Sequence, residues 1–285
     1  MRLEEHERAA RRILAKAGVD SPGLCARVLA CKAAGLDRIS CILAAEEELA
    51  PDRAACLSGL VARRARGEPL AYILGEREFY GLSFRVSEAT LTPRPETEML
   101  VEEALRLCPQ ATLRFADLGC GSGCIGATLI HERPGWHGIL ADASLPALEI
   151  ARANAERLGI QADIVQADIF QLPFAASSLD LVVSNPPYIG RQDERLVMWE
   201  TLAYEPHCAL FSEKEGYAHL EAVIAGAAAC LKSGGWLVVE HGDRQGSAVV
   251  EMLAAAGFGQ IRDLPDLASL PRCALGQKLQ GEAHG

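Results

Sequence analysis

From Thr112 onward, runs of strand length alternate with segments of helix length, and this alternation leaves few folds open. The expected strands are residues 114–118, 138–141, 163–166, 180–184 and 236–240. Helical segments fall between them, including 144–158 and 219–231. Parallel neighbours need a crossover, so this order implies an α/β fold with a mainly parallel sheet covered on both faces. In such sheets ligands bind beyond the carboxyl ends of the strands. Asp117, Asp142, Asp168 and Asn185 all fall at expected strand ends. Four polar side chains in equivalent places mark a binding site.

The chain before this region has a different character. Helices are expected over residues 3–16, 22–34 and 51–66, with breaks at Gly18 to Pro22 and at Gly35-Leu36-Asp37. A small helical bundle of this kind serves recognition or stability more often than catalysis. Within it, Arg63, Arg64 and Arg66 read as a solvated helix face. Residues 79–86 alternate around Gly81 and read as a hairpin. Pro95 then suits a first helical position, and the helix it opens runs to about Leu107. The expected organisation is therefore a helical domain over residues 1–75, a hairpin linker over 76–92, and the sheet-bearing domain over 93–285.

Charge narrows the partners. The net charge is −10, and nearly all of the acidity lies beyond about residue 90. A protein that grips a nucleic-acid backbone needs a basic face, so direct nucleic-acid binding is not expected. No apolar run approaches the length that spans a bilayer, and the charged N-terminus lacks the apolar core of a signal peptide, so a cytoplasmic protein is expected. The ten cysteines form no C-x-x-C pair and no zinc spacing. They are expected to be free, mostly buried thiols, and no metal is expected. Trp136, Trp199 and Trp236 are expected to pack rather than to act.

Two motifs carry chemistry. The first is the run Asp117-Leu118-Gly119-Cys120-Gly121-Ser122-Gly123 at the end of the first expected strand. Glycines at alternate positions permit a tight turn and let a ligand approach the backbone. About twenty residues on, Asp142 can take both hydroxyls of a ribose. Gly121 to Gly126 also satisfies the dinucleotide pattern G-x-G-x-x-G. The longer D-x-G-x-G-x-G run resembles the S-adenosylmethionine loop of class I methyltransferases.

The second motif is Asn185-Pro186-Pro187-Tyr188, directly after the apolar run 179–184. The prolines fix φ and remove two donors, leaving a stiff turn with free carbonyls. The Asn185 side-chain oxygen and the Pro186 carbonyl form an acceptor pair, and Tyr188 offers a flat face. Such a site suits a planar NH2 group. A dehydrogenase has no use for this turn. Adenine N6 and the glutamine side-chain amide are both planar NH2 groups, and the turn alone does not separate them.

Further segments resemble one family, the bacterial release-factor glutamine methyltransferases of the HemK/PrmC group. They include Gly67 to Gly75, Phe79-Tyr80-Gly81, Phe84-Arg85-Val86 and, above all, the intact P-R-P-E-T-E core of Thr92 to Glu98. Asn185 to Ile189, Glu205-Pro206, Gly234-Gly235, Glu240, Gly242, Gln245, Asp266 and Arg272 complete a pattern that runs over essentially the whole chain. The chain departs from the family at Thr92, at residues 212–216, at His241, and at Ile169, where an aromatic is common.

The resemblance implies a Rossmann-like methyltransferase domain with a mainly parallel seven-stranded sheet. It implies N5-methylation of the glutamine in the Gly-Gly-Gln motif of peptide chain release factors, with S-adenosylmethionine as donor and a monomeric enzyme. The alternative is an N6-adenine methyltransferase acting on DNA or rRNA. Expected cofactor-binding residues are Asp117, Gly119, Cys120, Gly121, Ser122, Gly123, Asp142, Asp168, Ile169, Phe170 and Asn185. Substrate is expected on Asn185, Pro186, Pro187 and Tyr188, with Asn185, Pro186 and Tyr188 acting in catalysis.

Overall fold

The computed structural model describes residues 1–280. The chain opens with helices α1 (Leu3–Lys16), α2 (Pro22–Ala34), α3 (Arg38–Leu43), α4 (Pro51–Ala65) and α5 (Leu70–Leu74). A hairpin of β1 (Glu76–Phe79) and β2 (Leu82–Arg85) follows, then α6 (Glu98–Leu107). The alternating part runs β3 (Arg114–Leu118), α7 (Cys124–Glu132), β4 (His137–Asp142), α8 (Leu145–Leu158), β5 (Asp163–Gln166) and β6 (Leu179–Ser184). It continues through α9 (Trp199–Tyr204), α10 (Ala218–Cys230), β7 (Leu231–Glu240), α11 (Gly246–Ala255), β8 (Phe258–Pro265) and β9 (Pro271–Lys278). Among the described residues no helix is long and apolar enough to cross a membrane.

Two units emerge. One comprises Met1–Glu76 together with Trp199–Tyr204; the other comprises Arg77–Met198 and the chain from Glu205 onward. The first is built on buried Leu14, Ala26, Leu29, Ala30 and Leu57 from α1, α2 and α4. Its helix ends follow the sequence signals. Pro22 and Pro51 sit at first helical positions, Gly35 closes α2 at φ 64°, and Asp37 caps α3 by accepting from the amides of Ile39 and Ser40. α3 and α5 are too short to show a period, and the sequence did not reveal them.

The arginine cluster is a solvated face only in part: Arg66 is exposed and Arg63 half-buried, but Arg64 is not solvated. Arg64 is only 6% exposed and pairs with Glu200 of α9 at 3.1 Å, while Arg63 pairs with Glu68. A buried guanidinium needs such a partner. Trp199, though mostly exposed, lies so close to Gly67 that a Cβ there would stand 2.1 Å from its ring. Thus six residues from late in the chain pack with its helical beginning.

The second unit holds a seven-stranded sheet of order β5-β4-β3-β6-β7-β9-β8. All pairs are parallel except those of β9, which runs antiparallel to β7 and β8. β6 is buried on both faces from Leu181 on, which explains the apolar stretch Leu181-Val182-Val183. Phe115, Leu181 and Val183 point to one core, shared with α6 and α7, while Ala116 and Val182 point to the other, shared with α10 and α11. The β1–β2 turn has φ of 52° at Tyr80 and 75° at Gly81, as a tight hairpin requires. Phe79 and Phe84 of this hairpin are buried in the first of these cores.

Strand order reverses between β3 and β6. From β3 the chain steps outward to β4 and β5, then returns to lay β6 on the other side of β3. The crevice of a doubly wound sheet opens at such a reversal. Leu118 is in register with Ser184, and Ser184 with Val239. The glycine loop after β3, the asparagine turn after β6 and Glu240 at the end of β7 therefore emerge side by side.

Candidate functional site

The glycine loop turns directly off β3. Gly119 and Gly121 adopt φ of 70° and 54°, and nothing lies within 4 Å of where a Cβ would stand on either. Open space above bare backbone is what a closely approaching ligand needs. Asp142, at the end of β4, braces the loop. One carboxylate oxygen accepts from the Gly121 amide and the other from the Ser144 amide, both at 2.9 Å. Each oxygen keeps a further lone pair for a ligand.

Asp117 lies beneath the loop, fully buried. Its Oδ2 accepts from the Gly126 amide at 2.9 Å, and its Oδ1 has no partner among the described residues. Burial pushes this carboxyl up to about 7. Burial likewise raises the thiols of Cys120 and Cys124, the latter to about 12, so both are inert neighbours rather than nucleophiles.

A cleft open to solvent lies over the strand ends of this unit, about 1060 Å³ counting the solvent space at its mouth. Gly119, Cys120, Gly121, Ser122, Asp142, Asp168, Ile169, Asn185 and Pro187 all line it. Asp117, Gly123, Pro186, Tyr188 and Phe170 do not. Asp117 and Gly123 underpin the loop from below. Phe170 turns outward, 57% exposed, and sets its ring edge-on against His219 at 4.9 Å.

At the asparagine turn the side chains are tied to distant segments. The Asn185 Nδ2 donates to Thr97 Oγ1 at 3.1 Å. Thr97 donates to one oxygen of Glu240 at 2.6 Å, and the Tyr188 hydroxyl donates to the other at 3.0 Å. Thr97 and Glu240 are each 2% exposed. Burial pushes Glu240 upward, opposed by these two hydrogen bonds and by Arg272. The backbone is held as well. Ser184 Oγ donates to the Leu118 carbonyl at 2.7 Å, and Gln245 Nε2 donates to the Tyr188 carbonyl at 3.1 Å. Neither Asn185 Oδ1 nor the Pro186 carbonyl has a partner among the described residues.

Several site residues escaped the sequence reading. Thr97 and Glu240 stood only as letters of a motif, with no role attached. Arg94 lines the cavity and pairs at 2.6 Å with buried Glu205, whose other oxygen accepts from the Thr92 amide. His219 also lines the cavity. Its Nδ1 lies 2.7 Å from Ser212 Oγ, which also accepts from the His219 amide, and burial lowers its pKa. No single-sequence signal marks a histidine of this kind. Among the described residues no group of side chains could hold a metal ion, and all ten cysteines are free.

Residues 7–75 match the family model described as PrmC N-terminal domain, and residues 95–216 match the Methyltransferase small domain. The "Release factor glutamine methyltransferase" of Nitratidesulfovibrio vulgaris is 40% identical over 269 residues, covering 93% of this chain and 91% of that protein. The protein of the same name from Cereibacter sphaeroides is 41% identical, covering 94% and 95%. That of Koribacter versatilis is 37% identical, covering 98% and 99%. Among solved structures, the hMettl16 catalytic domain, in complex with MAT2A 3'UTR hairpin 6, gives a TM-score of 0.58 at 19% identity over 78% of this chain and 83% of that one. A methyltransferase from Pyrococcus furiosus gives 0.53 at 15% identity, covering 78% and 100%. At these identities the structural likenesses speak for the fold alone.

Proposed function

The chain belongs to the release factor glutamine methyltransferase family, and from that premise we propose how its site works. The reaction is methylation of the N5 nitrogen of the glutamine side chain in the Gly-Gly-Gln motif of a peptide chain release factor. The donor is S-adenosylmethionine. The observation that carries this reading is the emergence of a glycine loop and an Asn-Pro-Pro-Tyr turn from adjacent strands at the reversal of the sheet.

The residues present fit the donor. Gly119 and Gly121 leave room that a side chain would fill, and Asp142 offers lone pairs to vicinal hydroxyls. Asp168, Ile169, Leu172 and His219 line the same cavity and form the place for the base. Asp117 acts indirectly, by holding the start of α7 through Gly126. When bound, S-adenosylmethionine supplies an electrophilic methyl group on a sulfonium.

The acceptor side works by position. Asn185 Oδ1 and the Pro186 carbonyl accept the two hydrogens of the glutamine NH2. This turns the nitrogen lone pair away from the turn and toward the methyl group. The nitrogen gains positive charge as it attacks, and two fixed acceptor dipoles already face that charge. No general base is needed for the attack, because the methylated nitrogen is strongly acidic and loses its proton through the same acceptors. Fixing the amide in an attacking geometry accounts for much of the remaining rate. Tyr188 positions the turn through Glu240 rather than by touching substrate. The helical unit, over residues 1–75, is assigned to recognition of the release factor. The enzyme acts as a cytoplasmic monomer.

Mass mapping of the Gly-Gly-Gln peptide after incubation with enzyme and donor tests the reading. One added methyl on the glutamine amide is expected. An adenine-containing oligonucleotide serves as the competing acceptor, and methyl label there with none in the release factor would overturn the assignment.

A further inference from the structure

Buried Thr97 and Glu240 behind the acceptor turn, with half-buried Tyr188 of the turn itself, form a chain of hydrogen bonds with one direction. Glu240, 2% exposed, holds a hydroxyl on each carboxylate oxygen, Thr97 at 2.6 Å and Tyr188 at 3.0 Å. Both hydroxyls donate to it, as an ionised carboxylate requires, and these two hydrogen bonds together with Arg272 favour that ionised form against burial. Thr97 has a single proton. Once that proton is committed to Glu240, its oxygen can only accept. The group it accepts from is the Asn185 side-chain amide, at 3.1 Å. An amide has two ends of nearly equal shape, one donating and one accepting, and its hydrogen-bond partners decide which end faces which way. Thr97 admits only the NH2 end. The oxygen end, which has no partner among the described residues, is then the end that Asn185 offers to a ligand.

We propose that Glu240 and Thr97 are positioning residues that set the flip of the Asn185 amide, so that its oxygen rather than its nitrogen meets the NH2 of the substrate. The proposal rests on the acceptor reading given above and adds the device that makes that acceptor work. Without it, the amide rotates freely between two flips. In the wrong one, an NH2 group faces an NH2 group, and the developing positive charge meets a donor instead of an acceptor. The three residues come from three places in the chain. Thr97 belongs to the turn before α6, Asn185 follows β6, and Glu240 ends β7. The parallel register of β6 and β7 brings the last two side by side.

The test is Thr97→Val, which keeps the shape and removes the hydroxyl, set against Thr97→Ser, which keeps the hydroxyl. Steady-state methylation of a release factor is measured for each, with donor affinity by calorimetry and folding by thermal melt. Thr97→Val is expected to lower kcat about tenfold or more, the scale of one lost buried hydrogen bond. KM for the release factor and donor affinity should stay within about twofold, while Thr97→Ser retains most of the turnover. Glu240→Gln keeps a carbonyl oxygen for the Thr97 hydroxyl and should lose less than Thr97→Val. Turnover by a folded Thr97→Val at the wild-type rate would overturn the proposal. So would equal losses in Thr97→Ser, or a parallel fall in donor affinity, since either would mark a packing role. A wild-type enzyme that leaves the glutamine unmethylated would instead bring down the underlying acceptor reading, which separates the two failures.

Discussion

The two sides of the site are built from different materials. The side we assign to the donor is mostly backbone: bare glycines, their amides, and one carboxylate that braces them from twenty-odd residues away. The side we assign to the acceptor is a relay of side chains reaching over 88, 143 and 52 residues of sequence. A backbone cradle tolerates side-chain change wherever φ and space are kept. A relay fails at any member, because each hydrogen bond fixes the direction of the next.

This difference predicts which measurement each substitution disturbs. The largest effect belongs to Asn185→Ala, which should lower kcat by on the order of 10²–10³ through loss of one preorganised acceptor, with donor affinity held within about tenfold. Isotope-label turnover with separate donor titration checks this. If both quantities fell together, Asn185 would belong to the donor side and the division would break. Asp142→Ala is the mirror image. Loss of hydrogen bonds to a charged group should weaken donor binding by about 10–100-fold, with near wild-type turnover once donor saturates.

A smaller effect concerns the charge hidden beneath the loop. The Asp117 carboxyl is raised by burial from 3.8 to about 7, so the folded state prefers its protonated form. Its stabilising contribution is therefore fully present below about pH 3.8 and is lost as pH rises through about 7. Thermal unfolding of donor-free Asp117→Asn against wild type should show a gap that shifts in favour of the variant across that window. A gap independent of pH would remove this cost from the donor side. The smallest effect is expected for Arg94→Met. It unpairs buried Glu205 and loosens the wall at Thr92, and should weaken donor binding only a few-fold because Arg94 is itself partly solvated.

Much of the fold was legible in the chain because its signals are local. The strands around β3, β4, β5, β6 and β7 announced themselves as apolar runs, and Pro22, Pro51, Gly35 and Pro95 marked helix ends. β8 and β9 were not read, since an antiparallel edge pair late in an α/β chain carries no signal beyond its own short alternation. α9 was missed for another reason. Six residues are too few for a period, and their place with the helical unit depends on Arg64 meeting Glu200 and on Gly67 making room for Trp199. Arg64 was misread on the same account, because charge pattern does not reveal a buried partner 136 residues away (200 − 64).

The sequence by itself determined the chemistry: a glycine turn after one strand, a carboxylate after the next, and two prolines locking an asparagine at a third. These are rules of φ, of missing donors and of strand ends, and each acts within a few residues. Only the tertiary structure decided which way that asparagine faces. Its direction comes from Thr97 and Glu240: parallel strands in register carry Glu240 to the same edge, and the turn before α6 sets Thr97 between them. A hydrogen bond's direction depends on what the partner's partner is doing, and that information lies in no local stretch of the chain.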